Sequence, residues 1–245
     1  MEILKFEELD STNNYAKNLI KEGKAKHGQV IYAVSQTAGR GQATNTWESE
    51  PGKNLTFSLI IEPKMLKPKN QFLISQVVSI GIVNYLKNHT NSETIHIKWP
   101  NDIFVEGKKI AGILIENTIR DHQILFSVIG IGLNINQIEF SKNAGHPTSL
   151  SLITDKQYGL EYELKNLTTF IVHSFDYYLK FDDDEGYKTR YLQHLLFLNQ
   201  EREYIVLGEK IIGKIIGVNE FGFLQIQTKN GTILECDLKE VVYVM

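Results

Sequence analysis

Residues 98–116 read KWPNDIFVEGKKIAGILIE. Two short apolar runs, Asp102 to Val105 and Ile110 to Asn117, flank Glu106-Gly107-Lys108, and a glycine-centred turn between β-branched runs predicts a hairpin. Upstream, Ile95 to Trp99 forms another run, with Pro100 holding the chain extended at the turn. Downstream, Asp121-His122 turns the chain into Ile124 to Ile135. Consecutive strands joined by tight turns predict an antiparallel sheet.

Moving toward the N-terminus, residues 29–36 and 55–61 are short, β-branched and bounded by turn-forming or polar residues, which predicts two more strands. Between Pro68 and His89, Leu73, Val77, Ile80 and Val83 recur at helical period in a segment too long for a strand. Ser11-Thr12-Asn13 precede Tyr15, Ala16, Leu19 and Ile20, a helix whose first turn the hydroxyl residues are placed to cap and whose stop is Gly23. Toward the C-terminus, Leu160, Leu164, Leu167, Ile171, Phe175 and Tyr178 mark a long amphipathic helix. The acidic run 182–185 then predicts a solvated helix start, favourable at the positive end of the dipole, reaching Leu196. From Tyr204 the pattern changes to short strands with turns at Leu207-Gly208, Glu220-Phe221-Gly222 and Asn230-Gly231. The expected architecture is α+β: a mixed or antiparallel sheet flanked by helices over residues 1–198, with a small β-barrel over 199–245.

The chain has 245 residues, 42 % of them hydrophobic, enough for one large core with a small satellite. No stretch approaches the roughly 18 to 20 apolar residues of a membrane span, and the first seven residues lack the apolar segment of a signal peptide. A cytoplasmic protein without a membrane partner is expected. The single cysteine, Cys236, alternates with Leu234 and Leu238 and reads as a buried small hydrophobe. The seven histidines show no i,i+4 pair, so structural zinc is not expected. A net charge of −3 argues against broad attraction to nucleic acid, and acids outnumber bases in the C-terminal strands.

Three groups of residues can carry chemistry. Gly39 and Gly41 let backbone approach a ligand closely, and Arg40 between them offers a cationic fork suited to carboxylate or phosphate. Trp47, amid Thr44, Asn45, Thr46 and Glu48, either walls a flat ligand such as a purine or anchors its own loop. In the second group, Lys98 is suited to phosphate oxygens and Asp102 to magnesium, or the two are a solvated lysine and a turn cap. Lys109, entering an apolar strand, requires a negative partner, whereas Lys108 faces the other way and is the solvated one. Thirdly, Gly112, Gly130 and Gly132 leave strand surfaces bare, as a ligand lying on backbone would need. Gly130 and Gly132 lack the third glycine of a dinucleotide fingerprint, which discounts that reading.

Taken in order, DSTN at 10–13, SQTAGRGQ at 35–42, Trp47, GKNLTFSL at 52–59, KWPND at 98–102, KIAGIL at 109–114 and GIGLN at 130–134 resemble the sequence blocks of the biotin protein ligases. The resemblance covers nearly the whole chain. It implies a mixed sheet related to class II aminoacyl-tRNA synthetases and lipoate ligases, with an SH3-like C-terminal domain. It further implies that Ser11, Thr12, Asn13 and Gln36 form the biotin end of a pocket also lined by Gly112 and Gly130. By the same resemblance, Gly39, Arg40, Gly41 and Gln42 belong to a loop closing over biotin and its adenylate. Lys109 would meet the activated carboxylate, with Arg40 and Lys98 as further catalytic cations. The nucleotide side would comprise Arg40, Trp47, Asn54, Lys98, Asn101 and Asn134, with Asp102 on magnesium.

The implied reaction uses ATP and Mg2+ to convert biotin to biotinyl-5′-AMP, then transfers biotin to a lysine of the biotin carboxyl carrier domain of a biotin-dependent carboxylase. A monomer or homodimer is expected. Some members carry an N-terminal helix-turn-helix domain, but here the biotin block begins at residue 10, so no DNA partner is expected. Gln42 stands where many members have a second arginine, and Ala43-Thr44-Asn45 replace a stretch that usually includes a glycine. The charge lost at Gln42 implies weaker adenylate retention. Two other readings are a lipoate or octanoate ligase or transferase, and a non-catalytic biotin sensor or carrier-binding module. Polar Ser11, Thr12 and Gln36 favour a ureido ring over an alkyl tail, and a sensor would not need Lys109 or Asp102.

Overall fold

The computed structural model describes the chain except residues 43–44, 64–65, 91–92, 142–144, 182 and 245. Twelve described strands form two sheets. The larger contains β1 (Ile3–Leu9), β2 (Gln29–Gln36), β3 (Leu55–Ile61), β4 (Ile95–Lys98), β5 (Asp102–Val105), β6 (Lys108–Arg120) and β7 (Gln123–Leu133), in the spatial order β1-β2-β3-β7-β6-β5-β4. Only β1 and β2 are parallel; every other neighbour is antiparallel, so the sheet is mixed. The turn at 106–107 joins the expected hairpin, with Val105 opposite Lys108 and Asp102 opposite Gly112.

β3 is buried along its whole length because both faces are covered. On one face, α1 (Thr12–Lys21) sets Ala16 against Ile31, Ile60 and Val128. The sheet's other face carries α2 (Phe72–Lys87) against β4 and β5, itself covered by α4 (Leu160–Phe181) and α5 (Asp184–Gln193), with α4 also reaching β3. Sandwiched in this way, α2 is apolar nearly all round, as a core helix must be. A short α3 (Leu150–Thr154) is capped by the Ser149 hydroxyl, which accepts from Leu152 N at 3.2 Å.

The second sheet is antiparallel, ordered β11-β10-β9-β8-β12: β8 (Glu201–Val206), β9 (Glu209–Val218), β10 (Leu224–Thr228), β11 (Ile233–Cys236) and β12 (Val241–Tyr243). It docks on the first through Trp99, which is 4 % exposed and donates its indole N–H to Gly222 O at 2.9 Å. Cys236 is buried, and burial pushes its thiol pKa up.

The acidic run behaves as a helix start. Asp183 accepts from Gly186 N at 3.1 Å and pairs with Arg190 at 3.0 Å; Asp182 lies outside the described residues. Two features differ from the sequence expectation. β1 is a strand that the local pattern did not announce. Ser11 is the N-cap of α1 by position, but its side chain makes no capping bond. The adjacent Thr12 N–H is instead satisfied by a side chain on another strand, Gln36 Oε1 at 2.8 Å.

Candidate functional site

A cleft of about 280 Å³ opens where the exposed face of β6 and β7 meets the start of α1, the Gly39–Trp47 loop, the turn after β4, and β12. One end is polar and uncharged, the other cationic, and the Trp47 indole lies over the strand glycines between them.

At the polar end Ser11, Thr12 and Asn13 are all buried. Thr12 Oγ1 lies 3.2 Å from Gln36 Oε1, and the Ser58 hydroxyl lies 2.7 Å from Thr12 Oγ1 and 2.6 Å from Asn13 Oδ1. Asn13 sits directly on Gly130: a Cβ there would meet its Oδ1 at 2.4 Å. Gly130 is therefore bare to admit Asn13 from α1, which corrects the expectation that its missing side chain exposes backbone to a ligand. The Asn13 amide nitrogen donates to Glu116 Oε2 at 2.9 Å. Glu116 also pairs with Lys17 at 2.9 Å and Arg40 at 3.2 Å. Burial acts to raise its pKa, but the bonds from Lys17 and Asn13 and the charges of Lys17 and Arg40 outweigh it, holding the carboxyl below the usual range.

The Gly39–Trp47 loop is stapled to itself. Gly41 N–H bonds Asn45 O at 2.8 Å, Trp47 N–H bonds Gly39 O at 3.1 Å, and Arg40 forms an isolated bridge with Thr46. Gly39 has to be glycine, because a Cβ would lie 2.5 Å from the Trp47 carbonyl oxygen. The loop carries Trp47 back over the sheet, where its indole lies on Gly132 and Gly112: a Cβ at those positions would meet the ring at 2.1 Å and 3.0 Å. Two bare strand positions thus create the seat of one large aromatic. Trp47 therefore anchors its loop and lines the cleft. Arg40 reaches Glu116 and Asn14 Oδ1, each at 3.2 Å, on the α1 side. Ala43 and Thr44 lie outside the described residues.

The cationic end has two lysines with different surroundings. Lys109 Nζ is 2.7 Å from Asp102 Oδ1, the negative partner its position demanded, and 5.5 Å from the Trp47 ring. Its backbone is clamped by the 146–148 segment: Lys109 N bonds His146 O at 2.7 Å, and Thr148 N bonds Lys109 O at 2.8 Å. Lys98 lies between aromatic faces, 5.4 Å from the Phe104 ring centre and 5.1 Å from that of Tyr243. Burial lowers its pKa, with Asp102 opposing and Lys109 adding to the shift. Asn101 is held across β6, donating to Ile113 O at 2.7 Å.

Asp102 is the one carboxylate among the described cleft-lining residues, and its Oδ1 is engaged by an ammonium. No group of three or more His, Cys, Asp or Glu side chains with metal-binding geometry occurs among the described residues. The donor set does not make a resident metal site.

Of the residues expected at the site, Asn54 and Asn134 lie behind the cleft. Asn54 is 1 % exposed; it binds Ser49 and Gln137 and accepts from Ile135 N at 3.0 Å, securing the base of the loop. Asn134 donates to Thr148 O at 3.0 Å, fastening the strap that clamps Lys109. Three contributors escaped the sequence reading: Ser58, Glu116 and Tyr243. A glutamate ending an otherwise apolar strand run was the one available signal. Ser58 sits in the mostly apolar run LTFSLII, and Tyr243 is 134 positions beyond Lys109 with nothing local to single it out.

The chain belongs to the biotin/lipoate A/B protein ligase family, whose model matches residues 6–134. It is similar over nearly its full length to the biotin protein ligase of Aquifex aeolicus solved in complex with biotin and ATP: TM-score 0.80, 28 % identity, 98 % of this chain and 97 % of that one. Among curated relatives, the bifunctional ligase/repressor BirA of Bacillus spizizenii is 26 % identical over 232 residues, 92 % of this chain and 70 % of the relative. The biotin--[acetyl-CoA-carboxylase] ligase of Paracoccus denitrificans is 31 % identical over 129 residues, 51 % of each chain. No described helix is long and apolar enough to cross a membrane.

Proposed function

We propose that this protein is an ATP-dependent biotin protein ligase. The observation that carries the reading is the polarity of a single cleft: an uncharged hydrogen-bonding end at Thr12, Asn13 and Gln36, a cationic end at Lys98 and Lys109, and a tryptophan-bearing loop folded across the backbone between them. A ureido ring can exchange hydrogen bonds with amide and hydroxyl groups, whereas an alkyl tail offers them none. A carboxylate meeting nucleotide phosphates needs cations.

In the first step a biotin carboxylate oxygen attacks the α-phosphorus of ATP, the bond to the β-phosphate oxygen breaks, and pyrophosphate leaves. In the second, the amine of an acceptor lysine attacks the acyl carbon, AMP leaves, and the amine loses a proton to form the amide. Negative charge grows on phosphate oxygens in the first step and on the acyl oxygen in the second. Lys109, fixed by Asp102 and its backbone clamp, and Lys98, held between two aromatic faces, offset that charge without reorganising. Magnesium accompanying the ATP phosphates would supply further positive charge there, and Asp102 is the carboxylate among the described lining residues that would face it. Trp47 and its loop limit water access, because hydrolysis of the mixed anhydride would waste ATP.

The acceptor in this reading is a lysine of the biotin carboxyl carrier domain of a biotin-dependent carboxylase. The test is mass spectrometry of such a domain incubated with this protein, MgATP and either biotin or lipoate. A biotin adduct that requires ATP supports the reading. A lipoyl adduct alone, or binding of biotin without pyrophosphate release, overturns it in favour of a lipoate ligase or a non-catalytic sensor.

A further inference from the structure

The Glu116 carboxylate joins three elements at one point: β6, which carries it, α1 through Lys17 and Asn13, and the Gly39–Trp47 loop through Arg40. Its partners lie 76 to 103 positions away in sequence. The bonds continue past it. Asn13 gives its amide N–H to Glu116 and presents its Oδ1 to Ser58, whose hydroxyl touches Thr12, which bonds Gln36. The run Arg40–Glu116–Asn13–Ser58–Thr12–Gln36 therefore connects the loop to the polar end of the cleft without a break.

Two consequences follow from donor and acceptor chemistry. An asparagine amide can flip end for end, and an acceptor-only carboxylate beside it dictates that the nitrogen faces Glu116 and the oxygen faces Ser58 and the cleft end. Asn13 cannot escape that choice by moving, since Gly130 packs beneath it with no room for even one more carbon. Secondly, Arg40 is the loop's described cationic contact to α1 and β6, and both its contacts, Asn14 and Glu116, lie there.

We propose that Glu116 is a positioning residue that latches the Gly39–Trp47 loop through Arg40 and orients the Asn13 amide, so that one carboxylate couples loop closure to recognition of the ligand's polar head group. Glu116 does not line the cleft and touches no reacting atom. The ligand assignment rests on the biotin reading above; the latch itself does not.

The experiment is a double-mutant cycle of Glu116→Gln and Arg40→Gln, read by hydrogen exchange over the peptide spanning residues 39–47 in the ligand-free protein, and by biotin affinity and steady-state kinetics. Glutamine keeps the size of Glu116 and removes the charge at a half-buried position, and Arg40→Gln severs the same bond from the exposed loop side should the first variant fold poorly. The amides of Gly41, Asn45 and Trp47 are expected to exchange about tenfold faster in each single variant, and the double variant to be no faster than either. KM for biotin is expected to rise about tenfold for Glu116→Gln with kcat changed less than about threefold, the pattern of lost binding. Unchanged loop exchange, additive effects in the double variant, or a loss confined to kcat would overturn the latch. If no variant, nor the parent, binds biotin, the ligand reading fails while the exchange measurement still decides the latch.

Discussion

Replacing Gly132 with alanine should unseat Trp47 and open the loop while leaving the sheet intact. The added methyl would lie 2.1 Å from Trp47 Cε2, 2.5 Å from Nε1 and 2.6 Å from Cδ2. Carbon atoms pack comfortably at about 3.5–4.0 Å, so something must move by roughly 1.5 Å. The strand cannot yield, because Gly132 is in central β7, paired with Thr56 on β3 and Gly112 on β6. The indole can, since its N–H has no hydrogen-bond partner and its loop is anchored mainly to itself. Overpacking of this kind costs about 1–3 kcal/mol, which shifts the closed–open balance by roughly 5- to 150-fold. Hydrogen exchange over residues 39–47 should rise by a factor in that range, and biotin affinity should fall in parallel. Because the loop relieves the clash, the melting temperature should drop by less than the roughly 2–4 °C per kcal/mol that a fully felt penalty would bring to a fold of this size. Gly159→Ala, where an added Cβ meets nothing within 4 Å, is the control. A Gly132→Ala protein with normal loop exchange but a markedly lowered melting temperature would show that the sheet absorbs the clash, and would refute the account of Trp47 as a movable cover.

Four further outcomes are expected. Lys109→Ala should reduce turnover by about two to three powers of ten, as for loss of one preorganised donor, and unimpaired turnover would assign Lys109 to structure. Burial lowers the Lys98 pKa, so its charge is lost at a lower pH than that of an exposed lysine; ATP affinity titrated upward from neutral pH should decline early in the parent and stay flat in Lys98→Arg. Trp99→Phe keeps a smaller aromatic ring but removes the bond to Gly222 O, which should cost at least about 1–2 kcal/mol in urea unfolding, and an unaltered midpoint would show that this bond does not couple the sheets. Finally, because the folded-state Glu116 pKa is depressed, its stabilisation is complete above the ordinary glutamate range and is lost as pH falls through its folded value. The stability gap between the parent and Glu116→Gln should therefore close as pH falls from above the ordinary glutamate value of about 4.3 through the lower folded one, and a gap independent of pH would mean that the carboxylate charge contributes nothing.

Much of the secondary structure was legible along the chain because it depends on near neighbours. The 106–107 turn and the β-branched runs around it define a hairpin whatever surrounds them, and the 3.6-residue recurrence in α2 and α4 needs only one buried face to be read. β1 escaped for a physical reason. It is an edge strand, half-buried, with Glu7 and Glu8 in its second half, and it is a strand because β2 lies alongside it in parallel. The lysine pair was legible in kind. A cation entering an apolar strand must be compensated, and Asp102 compensates Lys109 across the hairpin, a contact that the turn nearly dictates.

The cleft itself could not be read locally. Gly112, Gly130 and Gly132 announced that something lies against the sheet, but a missing side chain does not say what fills the space; packing from α1 and the loop assigned it to Asn13 and Trp47. Glu116 is one more polar residue on a strand until the fold brings Asn13, Lys17 and Arg40 to it from far along the chain. Sequence alone determined which residues could bear charge and which backbone could bend, since those are properties of single residues and their neighbours. Tertiary structure decided which charges meet, because an ion pair depends on distance in space, and that distance exists only once the sheet has closed on its helices.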